Sequence, residues 1–141
     1  MTTCKSICRI IVCLILLASP AIAQDVEKEK AAIAAAEQWL LLVDGVKYSE
    51  SWKEAAELFR NAVTQEQWSQ SLKAARAPLG RLVSRELDSK LYKTSLPGAP
   101  DGEYVVIQFR TSFENKKTSV ETITPILEKD GRWRVSGYYI K

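Results

Sequence analysis

Hydrophobic spacing changes once along this chain, at Pro78 and Gly80. Before that point apolar residues recur every three or four positions; after it they alternate. Ile33, Ala36, Leu40 and Val43 share one face of a first helix, with Trp39 beside the stripe. The Ala31–Ala36 stretch favours that helix because it is alanine-rich. Gln24–Lys30 is a charged lead-in, and Asp44-Gly45 ends the helix, with Gly45 suited to the left-handed position that follows. A second helix begins at Ser49 or Ser51. Ser51 and Glu54 have capping-box spacing, and Trp52, Ala55, Ala56 and Phe59 form its apolar face. A third repeats the pattern, with Thr64 and Gln67 as the box and Trp68, Leu72 and Ala75 as the stripe. Pro78 and Gly80 stop it.

Period-two segments follow at Arg81–Tyr92, Glu103–Phe113, Ser119–Lys129 and Arg132–Ile140. Leu96–Gly102 carries two prolines and two glycines and is a loop, and Asp130-Gly131 signals a two-residue hairpin. Three helices followed by four antiparallel strands define an α+β domain with the helices packed on one face of a curved sheet.

The N-terminus has a different character. Lys5 and Arg9 precede the apolar run Ile10–Ala18, Pro20 breaks that run, and Ala21-Ile22-Ala23 is a small-x-small cleavage pattern. These are the parts of a signal peptide over residues 1–23, cut between Ala23 and Gln24. The run is too short for a membrane span, which needs roughly 18 or more apolar residues. The expected product is a periplasmic or secreted single domain, 24–141, with no transmembrane segment. Cys4, Cys8 and Cys13 all lie in the leader, and the chain has no histidine. The mature domain therefore offers neither thiol, disulfide nor imidazole. Of the 20 basic residues two belong to the leader, leaving 18 against 17 acidic ones. That balance gives no support for nucleic-acid binding. No metal-ligand spacing, phosphate loop or nucleophile triad is present, so neither cofactor nor metal is expected.

The order of elements, closed by Asp130-Gly-Arg-Trp-Arg-Val-Ser-Gly-Tyr-Tyr139, resembles the nuclear transport factor 2-like (cystatin-like) cone. More closely the chain resembles an exported bacterial family, domain of unknown function 4019. The matching pieces are Ala36-Glu-Gln-Trp39, Trp52, Phe59-Arg60, Gln67-Trp68, Ala74–Gly80, Ser84-Arg85, Leu96–Tyr104, Phe109 and Val120-Glu121-Thr122. The resemblance implies the cone fold and supplies no reaction, since the family has no established catalytic residues.

Within such a cone, Val105, Ile107, Phe109, Thr111 and Phe113 share one face of the second strand. A two-residue turn at Asp130-Gly131 pairs Lys129 with Arg132, which places Val120, Thr122, Thr124 and Ile126 inward alongside Trp133 and Val135. Trp39, Trp52, Trp68, Phe109, Thr122, Thr124 and Trp133 are then the expected lining, either as ordinary core or as the wall of an apolar ligand cavity. No ionisable group lies deep in that lining, although a one-residue shift in the third strand would turn Glu121 inward. The opposite face carries Tyr104, Val106, Ile123, Leu127, Tyr138 and Ile140, a candidate interface for a homodimer or protein partner. Proteins of the resembled fold commonly pair through this face.

Arg76, Arg81, Arg85 and Arg110 form either an anion site or a solvated face. Asp44 and Tyr48 sit at the first helix turn, and the Glu50, Glu54, Glu57 series is a solvent face. The expected function is a non-catalytic binding or interaction domain that takes an apolar ligand or a protein partner. The alternatives are an isomerase or dehydratase of the ketosteroid isomerase kind, and an accessory subunit assembling through its outer face. No catalytic residue is assigned.

Overall fold

A computed structural model describes residues 19–141. The expected leader up to Ala18, with its three cysteines, lies outside the described residues. Helix α1 runs Pro20–Asp44, α2 Tyr48–Lys53, α3 Glu57–Ala62 and α4 Gln65–Arg76. After a short 3-10 turn come β1 Leu82–Lys93, β2 Tyr104–Phe113, β3 Lys116–Leu127 and β4 Trp133–Ile140. The strands form one antiparallel sheet in the order β1-β2-β3-β4. The architecture is α+β, helices first. None of the described helices is long and apolar enough to cross a membrane.

Local signals explain several boundaries. Pro20 occupies the first turn of α1, where its missing N–H costs nothing, so it opens this helix. The charged lead-in Gln24–Lys30 is helical too, and Lys28 pairs with Glu103 while Glu29 pairs with Lys90 of the sheet. At the other end the helix runs one residue further than the glycine suggests. Lys47 N donates to Leu42 O and Val46 N to Val43 O, a Schellman pattern that puts Val46 at φ 59° and leaves Gly45 at −81°.

The expected second helix is two short ones. The Ala56 N–H leaves the helical ladder and donates to Val135 O on the edge of β4 (2.8 Å), which separates α2 from α3. The apolar stripe still does its work: Ala55 and Ala56 are fully buried, and Trp52 and Phe59 pack against the core. Ser51 is no cap. It is buried inside α2, and its Oγ accepts from the Trp68 indole at 3.0 Å. The Thr64/Gln67 box forms in full at the start of α4.

The core lies between α1, α4 and one face of the sheet. Ala32, Ala36, Leu40, Val43 and Leu72 meet Val105, Ile107, Phe109, Ile123 and Val135 there. This is the expected inner face of β2.

The third strand has the opposite orientation from the sequence expectation. The β3–β4 turn is a three-residue loop in which Gly131 N donates to Glu128 O, Glu128 N donates to Arg132 O, and Gly131 takes φ 80°. This is a type I turn with a bulge at glycine, and it pairs Glu128, not Lys129, with Arg132. Leu127 therefore faces Trp133, and Pro125 faces Val135. A second bulge, between Val135 and Gly137, brings Thr124 opposite Gly137. Ser119, Glu121, Ile123 and Pro125 consequently face the helices, while Thr122 and Thr124 lie on the far side of the sheet.

Candidate functional site

Turning β3 over places a carboxylate in the core. Glu121 has no exposed surface. It sits opposite Phe109 on β2 and Ile140 on β4, and every element around it contributes a partner. Arg85, facing inward from β1, reaches it through Nε (2.6 Å) and Nη2 (3.1 Å). Thr111 Oγ1 on β2 donates at 2.7 Å and Tyr138 Oη on β4 at 2.6 Å. Arg76, at the end of α4, holds its Nη1 3.8 Å from Glu121 and stacks its guanidinium over the Phe113 ring.

The same two arginines converge on Asp44 at the end of α1. Arg85 donates to both of its oxygens, at 2.7 and 3.0 Å, and Arg76 to one at 2.8 Å. Two guanidinium and two carboxylate groups form a closed, neutral cluster joining α1, α4, β1 and β3. Burial pushes the Asp44 carboxyl up, but the Arg85 and Arg76 hydrogen bonds hold it below its ordinary value. Burial raises the Tyr138 phenol, and the neighbouring Glu121 charge raises it further.

Chemically the cluster is a strut. A general base needs a lone pair within reach of the reacting proton. The Glu121 oxygens are taken by Arg85, Thr111 and Tyr138, and those of Asp44 by the two arginines. Half of the arginine quartet named from sequence meets here. Arg81 pairs instead with Glu114, and Arg110 with Asp88, at the surface. Among the described residues no group of three His, Cys, Asp or Glu side chains is placed to hold a metal ion.

The expected lining residues divide. Trp39, Trp68 and Phe109 are buried in the core, and Trp52 packs against it. The indoles are satisfied: Trp39 donates to Ser51 O, Trp52 to Val63 O and Trp68 to Ser51 Oγ. Thr122 and Thr124 belong to the other face, with Gln108 Nε2 within 3.5 Å of Thr122 Oγ1. Of the expected outer patch, only Tyr104 and Val106 keep their side. Tyr104 is buried there beneath the Leu96–Gly102 loop, donating to Pro100 O. Ile123 is core, and Tyr138 packs edge-on against Trp39 and Trp68 at centroid distances of 5.5 and 6.3 Å. Leu127 and Ile140 pair with Trp133 and Glu121 on the helix side. Leu91 and Tyr139, each about half exposed, take their place on the outer face.

Trp133 and Trp39 meet at a surface groove of about 350 Å³ between α1 and the edge of β4. Ala31, Ala35 and Leu42 complete its apolar floor, and Gln38, Glu54, Arg132 and Arg134 stand around it. Arg134 is committed to Glu128 and Asp130. Arg132 is exposed and makes no ion pair with any described residue. Sequence periodicity finds Trp133 and Trp39, but not the groove, which requires α1 and the β4 edge to lie side by side.

No curated protein and no solved structure matches the chain. A family model, described as Protein of unknown function (DUF4019), matches residues 35–138. That span takes in both carboxylates and both arginines of the cluster, the whole of β1, β2 and β3, β4 as far as Tyr138, and Trp39 and Trp133. The chain belongs to the DUF4019 family.

Proposed function

We propose that this chain is an exported bacterial binding domain of nuclear transport factor 2-like architecture, mature from Gln24, with no catalytic role of its own. The α1/β4 groove takes the apolar part of a ligand or partner. The observation carrying this reading is the contrast between the two regions. The inward carboxylates are locked to arginines, whereas the groove offers Trp133, an aliphatic floor and Arg132, exposed and in no ion pair with a described residue. Ligand sites are typically concave, mostly apolar and marked by a few polar groups. An isomerase would need an inward carboxylate such as Glu121 with a lone pair to spare, but four donor contacts already occupy the oxygens of this one.

The test is native mass spectrometry of protein isolated from the cell envelope, with intrinsic fluorescence of the same sample. A co-purified molecule that Trp133→Ala releases supports the reading. A bare protein whose Trp133 environment responds to no apolar probe refutes it.

The half-exposed Leu91 and Tyr139 favour a second reading, an accessory subunit that assembles through the outer sheet face. It requires a concentration-dependent oligomer in analytical ultracentrifugation that Tyr139→Glu abolishes.

A further inference from the structure

We infer that the groove is a docking site for an extended peptide segment of a partner protein, which adds as a short strand to the β4 edge. This rests on the groove being the binding site. The occupant carries a large apolar side chain beside a carboxylate.

The argument begins with backbone direction. Leu127 N–H points away from β4, donating to Glu103 O at 2.9 Å. Leu127 faces Trp133, so this is a pair that exchanges no ladder hydrogen bonds, and the Trp133 N–H and C=O point outward from the sheet. Val135, two residues on, shows the same orientation, because its C=O accepts from Ala56 N in the turn between α2 and α3. The protein already uses this edge once, as a main-chain acceptor for a segment of its own. One step along, at Trp133, the edge opens into the groove and no described residue bonds to it.

Strand addition at an exposed edge takes its affinity from main-chain hydrogen bonds and its selectivity from pockets for alternate side chains. The groove supplies both. Trp133 provides the outward main-chain pair, and Ala31, Ala35 and Leu42 receive an apolar side chain pointing toward α1. Arg132, one residue before Trp133, is the rim cation that makes no ion pair with a described residue. Glu54 at the end of α2 is a rim anion, so the carboxylate of the occupant belongs at the Arg132 end of the groove. Neighbouring Arg134 cannot receive that carboxylate while Glu128 and Asp130 hold its guanidinium. A fatty-acid-like amphiphile would match the floor and the cation, but would leave the Trp133 N–H and C=O without a counterpart. That difference favours the peptide.

The experiment selects a phage library of random heptapeptides on the full domain. Enriched peptides are then titrated by calorimetry and by ¹H–¹⁵N correlation spectra, with dodecanoate as the comparison. The expected result is enrichment of sequences with adjacent apolar and acidic residues, and a shifted Trp133 amide. Arg132→Ala should weaken binding roughly tenfold, the loss of one charge-assisted contact. Methylating one peptide amide should abolish binding, and methylating the next should not, since alternate amides face the edge. Enrichment of no peptide, or binding indifferent to both changes, overturns the inference. Dodecanoate shifting Trp133 and Leu42 while no peptide does so overturns it too, yet leaves the groove as the binding site. If neither probe perturbs the groove, the inference and the functional reading fail together.

Discussion

Replacing Glu121 by Gln is the sharpest test of the buried cluster, because the two side chains have nearly the same shape and differ by one charge. Native Glu121 balances one of two guanidinium groups and accepts from Arg85 twice, from Thr111 and from Tyr138. The variant leaves Arg76 and Arg85 sharing Asp44 alone, with one uncompensated positive charge among groups that are almost wholly buried. Removing one member of a buried ion pair costs about 3–5 kcal/mol. For a domain of this size that corresponds to a fall in Tm of roughly 10–20 °C. Urea unfolding followed by tryptophan emission is the assay, since Trp39 and Trp68 pack against Tyr138 beside the cluster. The double variant Glu121→Gln/Arg85→Met restores charge balance by leaving the Arg76–Asp44 pair. It should be more stable than the sum of the single losses implies, by about 1–3 kcal/mol of coupling. A single-variant loss below about 1 kcal/mol, the range of exposed pairs, would refute the view that this side chain is a working partner of the buried arginines. Strict additivity would refute the charge-balance argument.

Other outcomes follow from the same geometry. Asp44 is held below its ordinary value when folded, so its contribution is present above the unfolded pKa of about 3.9 and is lost as pH falls through the folded value. Acid titration of Asp44→Asn should therefore show a shallower loss of stability below pH ~4 than the parent protein. Thr64→Ala should cost about 1 kcal/mol by removing a working cap, read from urea midpoints. Ser51→Ala should cost about 1–3 kcal/mol for a different reason, because it leaves the buried Trp68 indole N–H unpaired. Val46→Asn should stabilise by about 0.5–1 kcal/mol, since an exposed valine at φ 59° is replaced by a residue that tolerates the left-handed region. No gain in Tm for that variant would mean the Schellman ending of α1 is misassigned.

Much of the fold is legible one segment at a time. The Ile33–Val43 stripe, the Thr64 box, the stop at Pro78 and Gly80, and the alternation from Val105 to Phe113 are all local. Capping and periodicity act within a turn or two of chain, so residue spacing is enough to read them. The candidate site is less legible. Trp39 and Trp133 are visible as aromatic positions, but nothing in their spacing joins α1 to the β4 edge. The break between α2 and α3 is equally hidden, because it depends on a carbonyl of Val135 some eighty residues away along the chain.

The sequence alone therefore determines the order of helices and strands, the inner face of β2, and a composition without histidine whose three cysteines all precede residue 14. Only the tertiary structure decides which way Glu121 faces. Strand side chains alternate with a period of two, so one residue of difference in the Glu128–Arg132 turn exchanges Thr122 and Thr124 for Glu121 and Ile123. Hydrophobicity would have kept the glutamate outside. It is tolerated inside because Arg85, Thr111 and Tyr138, distant in sequence, converge on its oxygens, and Arg76 supplies the second positive charge.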